Sequence, residues 1–437
     1  MKKRVTINFP IDITVFCSFI IFKLVLDHVT TNALTIFSDT LSSATNRDQC
    51  AISWTFYVVQ IAILSVMIKN KRSLSTVLYA FLWAVNGVGF YTLFGRVPSM
   101  TMNFFLLVNL FWFCFSIAIM LLKKQTAPTQ DKISPITKSE WCFLAIVAVC
   151  AIVISGVYGN FRFGVAFEDV YEYRMNLNIP TAVGYLFRFT SGVFLPYLFV
   201  RFLVNKKYVV VGVIGVLAIL IYSVDGLKTS LVLYAIIIAF CVLYNMSKSK
   251  ANPGSNMLSM FLMLLTLFIA VNYWGYKQFD QYFFLDETYR VLLIPNVISN
   301  NYYLYIVDRE ALFLRESILR VFFDSPYEES ISYLVTNIVT EHGRAVANTG
   351  MIGDAYANFK LFGMCTYPIM YSFIFWLWQK SNQNKINATT VSIGFIMLWN
   401  AINVSFFTWL LTGGVVIYLI INRLLRSKQN SLSKPNG

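Results

Sequence analysis

Residues 341–359, EHGRAVANTGMIGDAYANF, hold one of the chain's two histidines, and an arginine follows two positions later. A neutral imidazole at His342 beside the guanidinium of Arg344 is a pairing able to take up a proton near pH 7 while an anion is held alongside. A helix starting at Gly350, capped by Asn348 or Thr349, stacks Asp354 and Asn358 at i and i+4 around Tyr356. Gly350 and Gly353 then allow close backbone approach. The plainer account is a solvated loop histidine above an ordinary polar helix entry.

Other clusters invite the same two-sided treatment. GNFRFGVAFEDVYEYRMNLNIP, 159–180, packs Arg162, Glu168, Asp169, Glu172 and Arg174 around Tyr171 and Tyr173, and Arg188 follows. Aromatic rings beside carboxylates suit sugar binding, although a wet loop with its own ion pairs has the same composition. SVDGLKTS, 223–230, puts Asp225 at a turn and Lys228 on the first turn of the next helix, where free N–H groups and the dipole favour a phosphate. A capping aspartate and a snorkelling lysine explain the same residues. DETYRVLLIPN places Arg290 as the preferred phosphate-binding arginine of a long loop. For Arg315 and Arg320, pairing with Glu316 or Asp324 on a wet helix face is the simpler expectation. Lys23 and Asp27, at i and i+4, are expected to neutralise each other inside a bundle.

The elements that carry these residues are apolar. Hydrophobic residues make up 57% of the 437 and charged residues only 13%, with a mean hydropathy of +0.62, far from a soluble domain. This predicts an all-α, polytopic membrane bundle forming one domain over 1–437. Windows of about 19 residues give about twelve spans, centred near 20, 59, 84, 111, 150, 193, 214, 236, 266, 369, 396 and 415. The net charge of +14 is spread over short basic connections such as KNKR at 69–72 and KSK at 248–250. Basic groups recur at every second connection, which predicts both termini on the cytoplasmic side and argues against a nucleic-acid partner.

The opposite side then receives loops at 159–181 and 276–358, the latter with about half of the chain's 21 acidic residues. It is expected to be a folded element, with YYLYIVDREALFLRESILRVFF as an amphipathic helix on the membrane surface. The basic start, MKKR, leads into an uncleaved first span. The seven cysteines show no metal or disulfide spacing and are expected to be small core residues. Walker, dinucleotide and zincin motifs do not occur, so no cofactor or metal is expected.

With these patterns in view, the chain resembles the O-antigen (oligosaccharide repeat-unit) polymerases, the Wzy-type family. The resemblance rests on the architecture and on YEYRMNLN, DGLKTSLVLY, YRVLLIPNVISNNYYLY and ANTGMIGDAYANFKLFGMCTYPI. It implies a bacterial inner-membrane protein that acts on its periplasmic face without a metal. A glycan on undecaprenyl pyrophosphate would be moved as a block onto an incoming lipid-linked repeat unit. Membrane lipid, a flippase, a chain-length regulator and a ligase are the implied partners. On this resemblance Arg174, Arg290, Arg344 and His342 are the catalytic candidates. Glu172, Tyr173, Arg188, Asp225, Lys228, Asp354, Tyr356 and Asn358 are the substrate-binding ones. Lys228 departs from the arginine that many relatives carry in that turn. A lipid-linked oligosaccharide flippase and an O-antigen ligase remain alternatives.

Overall fold

The computed structural model describes residues 11–34, 41, 45–70, 72–122, 134–161, 178–226, 228–248, 252–281, 284–337 and 347–432. Side chains are described for all of these except 228, 229, 337 and 425–432. Among them every regular element is a helix. Eleven helices are long and apolar enough to cross a membrane, and Ala388–Asn403 is a shorter apolar helix of 16 residues. Each of the twelve hydropathy centres falls inside one of these twelve helices, so the chain is a multi-pass membrane protein of helix-bundle architecture.

Local chemistry sets where the helices begin. The carboxylate of Asp12 accepts the N–H of Val15 at the head of α1 (Ile13–Asn32), and the Thr101 hydroxyl accepts that of Phe104 at the head of α5 (Met102–Leu121). Thr137 and Glu140 form a reciprocal capping box on α6 (Lys138–Tyr158). Such side chains satisfy N–H groups that the first turn leaves without carbonyl partners.

The helices gather into two compact units. The first holds α1, α2 (Arg47–Asn70), α3 (Leu74–Leu82), α4 (Val88–Leu93), α5, α11 (Pro253–Phe279) and the segment 280–376. Its core is aromatic: Phe19, Tyr57 and Tyr91 all lie against Trp83, with ring centroids 5.1–5.9 Å apart. The second holds α6, α7 (Thr181–Phe189), α8 (Leu195–Val204), α9 (Tyr208–Asp225), α10 (Lys228–Ser247) and the stretches 377–400 and 408–437.

Both units contain a π-helical turn whose loosened backbone is claimed by another helix. In the first unit Trp83–Gly87 joins α3 to α4, and Asn296 donates to the carbonyl of Asn86 at 2.9 Å. In the second Thr190–Phe194 joins α7 to α8, and the Tyr418 hydroxyl donates to the carbonyl of Gly192 at 3.0 Å.

The segment after α11 is folded, as its composition predicts. It carries α12 (Leu285–Leu292), α13 (Ile294–Ile306), a 3-10 turn (Ile318–Val321) and α14 (Ile331–Asn337) before α15 (Gly350–Ser381). The single amphipathic helix expected over YYLYIVDREALFLRESILRVFF does not form. Only its first residues are α-helical, as the end of α13; Phe313 and Leu314 then adopt φ of 49° and 65°, which no α-helix accommodates. The charged residues are redistributed accordingly. Arg315 pairs with Glu310, while the Glu316 carboxylate accepts the N–H of Ile331 and so caps α14. The cysteines also depart from expectation: only Cys241 is buried, and Cys17 and Cys142 are exposed. All seven are free thiols.

Candidate functional site

The charges in the first span form a closed network. Lys23 Nζ lies 2.9 Å from Asp27 Oδ2 and 3.3 Å from the Tyr91 carbonyl, and it sits 4.5 Å above the Trp54 ring. Trp54 donates to the same carboxylate at 3.0 Å, and Arg96 reaches Asp27 at 3.5 Å and Thr31 at 3.0 Å. Lys23 and Asp27 neutralise each other as their spacing predicts, but the third charge, Arg96, was invisible at a separation of 69 residues.

The stretch singled out in the sequence builds the other polar cluster of the first unit. α15 begins at Gly350, which has φ of +62°, and 350–358 are all buried. A Cβ at Gly350 would stand 2.6 Å from the Ile402 carbonyl, and one at Gly353 would stand 3.2 Å from the Tyr302 ring. Both glycines therefore serve close packing, as expected. Tyr302 sends its hydroxyl toward Thr349 Oγ1 at 3.4 Å and Ser332 Oγ at 3.3 Å. Burial pushes that hydroxyl above its ordinary pKa, so it stays a neutral donor at physiological pH.

Asp354 and Asn358 stack as i and i+4. The Asn358 amide donates to Asp354 Oδ1 at 2.8 Å and to the Asp354 carbonyl at 3.0 Å. The other carboxylate oxygen of Asp354 accepts the N–H of Phe406 at 2.7 Å, at the head of the short helix Phe406–Leu410. Both side chains are almost fully buried, at 4% and 3% exposure. Their contacts are to the protein itself, which gives them a positioning role.

Just beyond, Lys360 takes φ 48° and ψ −130° and breaks α15. Carbonyls on the N-terminal side of a break lose their acceptor role in the helix ladder. The loop 312–314 fills it: Leu312 N donates to the Ala357 carbonyl at 2.9 Å, Phe313 N to the Asn358 carbonyl at 3.2 Å, and Leu314 N to Asn358 Oδ1 at 2.8 Å. Lys360 Nζ closes the arrangement on the Val307 carbonyl at 3.2 Å. Asn358→Ala removes the acceptor for Leu314 and one partner of Asp354. The expected loss is about 1–3 kcal/mol, read as a lower thermal midpoint of the purified protein and faster proteolysis within 307–323.

Tyr356 projects differently from its neighbours on α15. Its ring lies 5.0 Å from that of Tyr303, and both line a groove of about 430 Å³ with Asn103, Leu106, Leu107, Leu110 and Leu361. Sequence reasoning missed Asn103 and Tyr303, which stand on α5 and α13. The available signal was a polar residue in the first turn of α5 for Asn103; Tyr303, in the last turn of α13, carried no local signal.

The remaining candidates are distributed as follows. Arg290 is on α12, ion-paired at 2.9 Å with Asp286 and with its side chain 61% exposed. A pair that open contributes little to stability, so the guanidinium can exchange Asp286 for another anion. In the second unit, Arg188 is exposed on α7, and Asp225 is the last residue of α9, before Gly226 at φ 63°. Asp225 therefore closes one helix and does not open the next. Lys228 is the first residue of α10, as expected; its side chain, and all of Glu172, Tyr173, Arg174, His342 and Arg344, lie outside the described residues.

The second unit also encloses a polar cavity of about 50 Å³. It is lined by Glu140, Arg201, Asn382, Asn387, Thr390 and Asn422, among others, and Arg201 Nε sits 2.6 Å from Glu140 Oε1. Among the described residues, no group of three or more His, Cys, Asp or Glu is placed to hold a metal ion. Compared with family models, with curated proteins and with solved structures, the chain matches none.

Proposed function

We propose that this protein is a multi-span glycosyltransferase that extends lipid-linked oligosaccharides, in the manner of an O-antigen polymerase on the periplasmic face of the inner membrane. One observation carries the reading. Tyr356 stands on the same buried helix mouth as Asp354 and Asn358, and it lines an apolar groove between α5, α13 and α15. The groove sets Asn103, Tyr303 and Tyr356 beside a row of leucines, and polar groups next to an apolar lining are what a substrate with a sugar head and a hydrocarbon tail requires.

In the proposed step the acceptor hydroxyl attacks the anomeric carbon of the donor glycan. The new C–O bond forms as the bond to undecaprenyl pyrophosphate breaks, and the hydroxyl proton passes to a base, for which His342 is the candidate. The departing diphosphate carries the developing negative charge. Arg290, Arg174 and Arg344 are the candidates to stabilise it, since preorganised cations act most strongly where charge appears in the transition state. Asp354 and Asn358 hold the entry of α15 in place, leaving Tyr356 as the substrate-facing side chain of that helix.

The test is the lipopolysaccharide of a strain lacking the gene, run on a silver-stained gel. Loss of the ladder down to core plus one repeat unit is expected, and the wild-type gene should restore it. A normal ladder would refute the proposal. Core without any repeat would redirect the assignment to a flippase or a ligase.

A further inference from the structure

We infer that the turn over 318–323 is a membrane anchor, whose apolar side chains enter the leaflet on the side of the 280–349 segment. The sequence there is ILRVFF, and its large side chains point away from the protein: Ile318 is 43% exposed, Val321 85%, Phe322 76% and Phe323 58%. Single exposed apolar residues are ordinary, but four within six positions on one turn are a surface that water does not favour.

The turn is held in this form by its own hydrogen bonds. Leu319 N donates to the Leu314 carbonyl, and both Phe322 N and Phe323 N donate to the Leu319 carbonyl at 2.9 and 3.0 Å. On its far side the Glu316 carboxylate binds Ser325, Ser330 and the N–H of Ile331. The backbone is thus fixed with its apolar side chains outward.

The depth of the turn follows from α15. At 1.5 Å per residue, its 32 residues make about 48 Å of helix, well over the roughly 30 Å of a hydrocarbon core. From the break at Lys360, the stretch 361–381 alone supplies about 30 Å. The membrane boundary therefore lies near Leu361 and Phe362, which are 57% and 67% exposed as lipid-facing residues are. The loop bearing the turn is bonded to Ala357 and Asn358, one helical turn earlier, and Phe313 packs against Phe359 at 6.0 Å. At the end of α11, Trp274 and Phe279 are 60% and 62% exposed, as an aromatic belt at a membrane interface would be. The exposed turn thus continues a lipid-facing surface. Arg320, exposed within it, suits the phosphates of the headgroup layer.

The occupant proposed is lipid, and the experiment is a depth measurement in nanodiscs made of phosphatidylcholine and phosphatidylglycerol. A nitroxide is attached at Phe322→Cys in full-length protein whose seven native cysteines are replaced, with Glu328→Cys as the exposed reference. Power saturation should show the label at 322 accessible to oxygen and shielded from a water-soluble nickel complex, and the label at 328 open to the nickel complex. Equal nickel access at both positions would overturn the inference, because the turn would then stand in water. Shielding of 322 from both oxygen and nickel would overturn it too, because protein would be covering the turn. Val321→Cys provides a second labelled position should Phe322→Cys fail to fold.

Discussion

Replacing Asp27 by leucine should lower stability by about 3–5 kcal/mol, the cost of leaving a buried charge without its partner. Lys23 is 1% exposed at its side chain and Arg96 10%, so the substitution strands two cations and also removes the acceptor of the Trp54 indole. Lys23→Met should be milder, since Asp27 keeps Arg96 and Trp54. The comparison is made on purified protein in detergent, by the thermal midpoint of monodisperse elution. An unchanged midpoint in Asp27→Leu would show that the network does not hold α1 against the loop after α4. The order of the two variants matters as much as their size, because a simple pair would make them equal.

On the activity side, Arg344→Ala should reduce chain extension by about 10²–10³-fold, the loss typical of deleting one group that stabilises transition-state charge. Insertion into the membrane and the yield of folded protein should not change. The measurement is the chain-length ladder of the complemented strain, paired with the amount of protein in the membrane fraction. A full ladder would remove Arg344 from the proposed site and would shift the role toward Arg290 or Arg174. A lost ladder with lost protein would instead mark Arg344 as structural.

The spans were legible because a bilayer imposes its thickness on the sequence. All twelve centres fell on helices, even Ala388–Asn403 with its 16 residues. The i, i+4 pairings of Lys23 with Asp27 and of Asp354 with Asn358 were legible for the same reason, since helical spacing is local. What failed to show was tertiary. The apolar spacing of 302–323 predicted one helix, yet the backbone of 312–314 turns aside to bind Ala357 and Asn358. The break in α15 was equally hidden. Sequence rules point to Pro368, which stays inside the helix, whereas the non-helical residue is Lys360, a type with no propensity to break one. The groove beside Tyr356 draws on three helices far apart in the chain, so no local pattern announced it.

That break also changes what the chain can tolerate. In an uninterrupted helix, one inserted or deleted residue turns everything beyond it by about 100°, so a mouth and a span on one rod must drift together or not at all. With Lys360 as the joint, the angular register of 350–359 is set by Tyr302, Ile402 and Phe406, which pack against or bond to it. The stretch 361–376 shares one of these neighbours, since the rings of Tyr367 and Tyr371 lie 5.8 and 5.0 Å from that of Phe406, and it adds its own, such as Ser75, whose hydroxyl donates to the Phe375 carbonyl. A single-residue length change can therefore be absorbed without disturbing Asp354, Tyr356 and Asn358 only beyond Tyr371, because a change before it turns Tyr367 and Tyr371 away from Phe406. The joint thus moves the constraint from the helix ladder to a shared aromatic contact, and it is Phe406 that keeps the two halves of α15 in step.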